Sequence, residues 1–261
     1  MNIDLSGKIA VITGATGDLG RVMVRTLAEC GADVAVHYLK NETVAENLCG
    51  QVSTVGRRAV PVQADVTQFD SVRQMQERVT AELGDADIIV NNAVIQYKWV
   101  HALDQAPEDY VGQFRSCVLH NLFMTKAFVP SMIEKRWGRV IGINTECSLQ
   151  CWPSQSAYVS GKHGMNGLLL CLAKEIGEHG ITVNQVAPGY MFSDRDRYDE
   201  KVSEKEARWK NWYARMVPMK HRGDDQEIAN VVAFLASDLA GFITGAFIPV
   251  NGGGPTIPNP T

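Results

Sequence analysis

Short apolar runs alternate with longer amphipathic stretches along nearly the whole chain. Residues 8–13, 33–37, 59–63, 87–91, 138–144, 181–187 and 246–250 are predominantly apolar over strand length, the pattern of strands buried on both faces. The segments 19–29, 42–55, 71–83, 108–136, 156–179 and 226–237 carry apolar residues at three- and four-residue spacing, which predicts helices. Strand and helix in repetition predict an α/β fold with a doubly wound, parallel, seven-stranded sheet covered by helices on both sides. No Pro- or Ser-rich linker, repeat or low-complexity block interrupts the alternation, so residues 1–261 read as a single domain.

One stretch breaks the pattern. Residues near 193–217 are rich in charge and carry Trp209, Trp212 and Tyr213, which reads as a helical flap. Ligands of open α/β sheets sit beyond the carboxyl ends of the strands, so an insertion following a strand is placed to cover one. The tail from Asn251 onward, with three Gly and three Pro, reads as irregular.

Composition narrows the partners. Of 261 residues, 45% are hydrophobic and 21% charged, enough for a substantial core. The 25 basic against 29 acidic residues, net -4, supply no cationic face for nucleic acid or an anionic membrane, and both are set aside as partners. Six cysteines at 30, 49, 117, 147, 151 and 171 form no CxxC pair and lie near no histidine cluster, so neither a metal site nor a disulfide framework is expected. The N-terminus lacks a basic-then-apolar leader, and no stretch approaches the ~20 apolar residues of a membrane span. A reduced, cytoplasmic setting is the expectation.

The first chemical signal follows the first strand. Thr13-Gly14-Ala15-Thr16-Gly17-Asp18-Leu19-Gly20 leads directly into a helix, where glycines permit a tight turn and helix N–H groups can meet a pyrophosphate. A plain Gly-rich turn is the other reading. After the second strand the run Val36-His37-Tyr38-Leu39-Lys40-Asn41 holds no carboxylate before Glu42. An acid there would hold the ribose 2′-OH of NAD; its absence, with Lys40 able to pair with a 2′-phosphate, favours NADP(H), with NAD(H) as the alternative. Lys40 as an ordinary solvated lysine is the competing reading.

The second signal is Tyr158 and Lys162, four residues apart near the start of a long predicted helix and therefore on one face. A cation beside a phenol favours the phenolate, which makes tyrosine a usable acid or base near neutrality.

With these residues in view, the chain from about Leu5 to Gly253 resembles the short-chain dehydrogenase/reductase family, classical type, with a 3-oxoacyl-carrier-protein-reductase-like pattern and the Rossmann-type fold it implies. The carrying motifs, in order, are the Thr13 to Gly20 loop, Asp65-Val66, Asn91-Asn92-Ala93, Tyr158 with Lys162, Val183-Asn184, Pro188-Gly189, and Phe242 to Gly253. The resemblance implies that Tyr158 is the proton donor or acceptor and that Lys162 binds the nicotinamide ribose and lowers the tyrosine pKa. It implies that Gly14, Thr16, Asp18, Leu19, Tyr38 and Lys40 hold the nucleotide, that Asp65 and Val66 meet adenine, and that Asn92 and Ala93 border the adenosine ribose. Pro188, Met191 and Ser193 would wrap the nicotinamide and diphosphate.

Five positions depart from the family pattern. Thr145, thirteen residues before Tyr158, stands for the catalytic serine and keeps its hydroxyl. Cys117 stands for an asparagine that supports a proton relay through the lysine, and Asn121, one turn on, is the candidate substitute. Asp18 replaces a glycine and is expected to turn its charge away from a diphosphate, offering only its N–H. Val94 replaces a glycine, and Glu146 adds an ionisable group beside Thr145.

The function expected is hydride transfer between NADP(H) and a secondary alcohol or ketone, with Thr145, Tyr158 and Lys162 as the catalytic set. A nucleotide-binding relative with lost or altered redox chemistry, serving as sensor or structural subunit, is the rival, motivated by Cys117, Val94 and Asp18. Epimerisation or dehydration through a transient ketone is a third reading, resting on Glu146. Pocket candidates are Gln96, Tyr97, Trp99, Gln150, Trp152, Tyr190, Phe192, Trp209 and Trp212, with Arg195 and Arg197 as anion contacts. Gly161, Gly164 and Gly167 cost helix stability and so predict a close approach on that face. The resemblance implies a subunit interface and a homodimer or homotetramer; packing on the sheet is the alternative.

Overall fold

The computed structural model describes residues 2–193 and 204–254, with the backbone alone for 204–206. Seven strands form one parallel sheet: β1 (Ile9–Ile12), β2 (Asp33–Tyr38), β3 (Ala59–Gln63), β4 (Ile88–Asn91), β5 (Gly138–Ile143), β6 (Ile181–Pro188) and, last in the chain, β9 (Phe247–Val250). Their spatial order is β3-β2-β1-β4-β5-β6-β9, so the chain reverses direction across the sheet at β1 and β4. Val11 of β1 pairs in register with Ala35 of β2 on one side and Ile89 of β4 on the other. That reversal opens a crevice beyond the carboxyl ends of β1 and β4, the usual ligand position in such sheets.

Alternation along β1 builds the two halves of the core. Ala10 and Ile12 face one layer, with Val22, Leu27, Ile228 and Val232, and Val11 faces the other, with Met75, Phe128 and Leu169. The first layer is made by α1 (Asp18–Glu29), α2 (Glu42–Thr54) and α9 (Asp225–Ala236). The second is made by α3 (Phe69–Glu82), α5 (His120–Lys135) and α7 (Ser156–Ile176). The predicted elements all appear, with ends shifted by a residue or two where propensity gives no sharp signal.

Three features differ from the pattern. The helix predicted over 108–136 is divided into α4 (Pro107–Gln113), a π-helical turn over Phe114–Leu119, and α5. In that widened turn the Asn121 side-chain amide donates to the Cys117 carbonyl at 2.7 Å, satisfying an oxygen that the looser backbone ladder serves less well. Two two-residue strands, β7 (Met191–Phe192) and β8 (Gly223–Asp224), pair with each other at the ends of the insertion, too short for any periodicity to mark. A short α6 (Cys147–Gln150) follows β5.

The stretch expected as a flap contains the helix α8 (Glu204–Met216); Arg195 and Arg197 lie outside the described residues. The glycine stripe of α7 is explained within the chain, not by the sheet. A Cβ on Gly161 would stand 2.9 Å from the Gln113 carbonyl oxygen, and one on Gly164 2.8 Å from Val118, so α7 packs tightly on the α4–α5 segment. Gly167 faces open space.

Candidate active site

The crevice at β1 is built by hydrogen bonds that leave no freedom to the loop. The Thr13 hydroxyl accepts the N–H groups of Asn92 and Ala93 at 2.9 and 3.1 Å, and the Asn92 amide donates to the carbonyls of Thr13 and Gly14, both at 3.1 Å. Gly14 has φ +62°, and a Cβ on Gly20 would lie 2.2 Å from the Gly14 oxygen, so only glycine lets α1 start this close to the turn. The Gly14 N–H donates to Nδ1 of His37 at 2.9 Å, which leaves Nε2 as the protonated nitrogen, donating to the Ala64 carbonyl. Burial pushes the His37 pKa down to about 4, so the ring stays neutral.

The resulting cleft, about 740 Å³, is lined by Gly14, Thr16, Asp18, Leu19, Lys40, Asp65, Val66, Asn92 and Ala93, all predicted from the sequence. His37, Asn41, Thr67 and Ser116 line it as well, without having been singled out. The N-cap of α1, Gly17, makes no side-chain cap bond, so first-turn N–H groups of a twelve-residue helix are left for an anion. Orphan donors, a glycine cradle and a cleft of this size fit a dinucleotide. Among the described residues no group of three or more His, Cys, Asp or Glu side chains is arranged to hold a metal.

Several expectations for this cleft need correction. Tyr38 does not face it: strand alternation aims His37 inward and buries the Tyr38 ring in the core, with its hydroxyl donating to Glu42 at 2.9 Å. Asp18 lines the cleft, and its carboxylate accepts a hydrogen bond from the Ser193 hydroxyl at 3.1 Å, tying the loop to the segment after β6. Met191 packs on the core instead of lining the cleft, and Pro188 lines the neighbouring pocket.

That pocket, about 660 Å³, adjoins the cleft through Ile95 and Gln96, which line both. Thr145, just past the end of β5, and Tyr158, in the first turn of α7, stand together in its wall, and the Thr145 hydroxyl accepts the Cys147 N–H at 3.2 Å. Asn144 fixes this corner: its amide donates to Gln185 Oε1 at 2.7 Å and to the Lys162 carbonyl at 3.3 Å, and its oxygen accepts the Thr145 N–H. Tyr158 is held from both sides. Its N–H donates to the Tyr97 hydroxyl at 2.7 Å, and Trp99 stacks on its ring at 5.9 Å between centroids. Lys162, fully buried below, donates from Nζ to the Ile143 carbonyl at 2.5 Å and stands 5.7 Å from the Tyr158 ring centre.

The electrostatics differ from the expectation at Tyr158. Burial raises the phenol well above its ordinary pKa, and the Thr145 side chain, which pulls it down, does not offset this. Burial also lowers the Lys162 pKa, so its ammonium, already committed to a carbonyl, does not reverse the shift. The phenol therefore rests in its protonated form.

Cys117 is buried, with Sγ 3.8 Å from Gln113 Oε1. Asn121 does not take its place. Its oxygen accepts from the Asn91 amide at 2.7 Å and its own amide donates to the Cys117 carbonyl, and neither atom is bonded to Lys162. Glu146 is 4% exposed and receives the Tyr213 hydroxyl at 2.6 Å, and burial raises its pKa. Of the pocket candidates, Gln96, Tyr97, Trp99, Trp152, Tyr190, Trp209 and Trp212 are brought together. Gln150 turns to the Trp152 indole, and the Phe192 ring stacks with Arg222. Tyr213 lines the pocket and was not singled out for it; its signal was its place one residue after Trp212 on the flap.

Comparison with known proteins agrees with this geometry. A family model described as "Enoyl-(Acyl carrier protein) reductase" matches residues 14–254. Nodulation protein G of Azospirillum brasilense is 34% identical over 255 residues, covering 95% of this chain and 98% of its own. A 3-oxoacyl-[acyl-carrier-protein] reductase of Staphylococcus epidermidis is also 34% identical, covering 94% of this chain and 98% of its own. Among solved structures, LugOII, a promiscuous reductase that performs keto-reduction in lugdunomycin biosynthesis, superposes with a TM-score of 0.86 at 30% identity, covering 95% of this chain and 98% of its own.

Proposed function

The chain belongs to the short-chain dehydrogenase/reductase family, and from that premise we propose that it is an NADP(H)-preferring oxidoreductase that interconverts a ketone and a secondary alcohol. The observation that carries the reading is Thr145 and Tyr158 side by side in a pocket that adjoins a glycine-cradled cleft. The Gly14 to Leu19 loop, Asp65, Val66, Asn92 and Ala93 would hold a nicotinamide cofactor, which would supply the hydride when bound. Tyr158 donates a proton to the carbonyl oxygen, and the Thr145 hydroxyl holds that oxygen by a hydrogen bond as charge develops on it. In this reading Lys162, buried beneath the phenol, binds the nicotinamide ribose once cofactor is present. Burial keeps the phenol in its protonated form, the form that donates in the reductive direction.

NADP(H) is favoured at the end of β2. The first carboxylate after that strand, Glu42, receives the Tyr38 hydroxyl, whereas Lys40 lines the cleft and can meet a 2′-phosphate. The flap, a single domain over 1–261, a homodimer or homotetramer and a cytoplasmic location belong to the same reading. Support for association comes from Val111 and Phe114, each 50% exposed, and the open face at Gly167; free cysteines suit the cytoplasm.

Tyr158→Phe is the test. Oxidation of NADPH with a panel of ketones should fall at least ~10³-fold while NADPH binding stays measurable. Undiminished turnover in the variant overturns the mechanism. Cys117, which lacks an amide, and Asp18, which brings a carboxylate to the cleft, are the observations for the rival reading, and NADPH binding without turnover of any ketone establishes it.

A further inference from the structure

The substrate pocket concentrates tryptophan. The chain has five, and Trp99, Trp152, Trp209 and Trp212 all line this one cavity. Trp209 stacks on Trp212 at 4.8 Å between centroids, and Trp152 meets Trp212 edge-on at 5.9 Å, so α8 and the loop after β5 present ring faces and edges toward a common space. Tyr190 and Tyr213, edge-to-face at 5.4 Å, extend the wall. No lysine or arginine lines the pocket among the described residues, and its only acidic side chain is Glu146.

Glu146 is a costly residue to keep there. Oε1 receives the Tyr213 hydroxyl at 2.6 Å; Oε2 is buried beside Gly254, where an added Cβ would stand 2.9 Å from it, and makes no hydrogen bond among the described residues, so the charge reaches the pocket through the Oε1 side. As a latch for Tyr213 alone, a neutral amide would serve with no charge to bury. A carboxylate among π-faces, with no basic residue in the lining among the described residues, is the arrangement that lowers the energy of an organic cation and raises that of an anion.

We propose that the ketone reduced here carries an ammonium group, held between the Glu146 carboxylate and the tryptophan and tyrosine faces. The proposal rests on the oxidoreductase reading and names its substrate class. It makes Glu146 a specificity-determining residue: Thr145 and Tyr158 take the carbonyl end, and Glu146 takes the charged end.

The test compares two ketones of one shape. The first is cyclohexanone with two methyl groups on the carbon opposite the carbonyl. The second is its isostere, in which that carbon is a quaternary ammonium nitrogen. With the full chain and NADPH, kcat/KM should favour the charged ketone by about tenfold or more, mainly through KM, and Glu146→Gln should bring the ratio within about twofold of one. A wild-type ratio near one or below overturns the proposal, as does a preference that persists in the variant. If the wild-type chain turns over neither ketone, the oxidoreductase reading fails instead, and binding of benzyltrimethylammonium followed by tryptophan fluorescence decides the site alone. Quenching that weakens about fivefold or more in Glu146→Gln supports the ammonium site, and absent or unchanged quenching overturns it.

Discussion

At the scale of single residues, the structure separates side chains that do chemistry from those that hold them. Among the described residues Lys40 is the one lysine or arginine lining the cleft, so on the proposed NADP(H) preference Lys40→Ala should lower kcat/KM for NADPH by about tenfold and leave NADH nearly unchanged. Parallel steady-state measurements with both cofactors check it, and equal losses would assign Lys40 to general electrostatics. Arg136 makes a different prediction. It closes α5 in the left-handed conformation at φ +52°, where its Cβ is strained, and its guanidinium reaches only the exposed Glu178 carbonyl. Arg136→Gly should therefore stabilise the fold by up to about 1 kcal/mol, seen as a rise of roughly 2–4 °C in Tm.

At the scale of elements, the junction of β1 and α1 is the most tightly specified part of the molecule. In Gly20→Ala the new methyl would meet the Gly14 carbonyl, which is backbone and cannot rotate aside. The substitution should cost about 2–3 kcal/mol in urea unfolding and reduce NADPH affinity in a direct titration. This junction was legible in the sequence because glycine spacing reports backbone geometry directly, and the seven strands were legible because both faces of each are apolar. Other features were not. Strand alternation decides that Tyr38 turns to the core, but a strand with both faces buried shows no alternation to read. The π turn at Phe114–Leu119, where the Asn121 amide donates to the Cys117 carbonyl, leaves no mark in the helical periodicity. The lysine's influence on Tyr158 was predicted from spacing alone, and burial, a property of the assembled site, outweighs it.

At the scale of the whole molecule, two buried neutral histidines set the acid limit of stability. His37 and His120 have folded pKa values of about 4 and about 3, both depressed chiefly by burial from an ordinary 6.5. The unfolded chain takes up protons on these rings below pH 6.5 and the folded chain does not, so stability is complete above that value and falls as pH drops toward 4. At pH 5 the loss is about 2 kcal/mol for each ring, about 4 kcal/mol together. Urea unfolding between pH 7 and 5 measures it, and a flat profile would mean that neither ring is kept neutral. Association is the second prediction at this scale: light scattering should give a dimer or tetramer, and a monomer at all concentrations rejects it.

The wall shared by the two cavities carries one more consequence. Ile95 and Gln96 touch whatever fills the cleft and whatever fills the pocket, so a shift of that wall caused by one occupant changes the fit of the other. Thermodynamic reciprocity then applies. If bound cofactor tightens a ketone by some factor, the ketone must tighten the cofactor by that same factor, and the enzyme's two affinities become one coupled quantity.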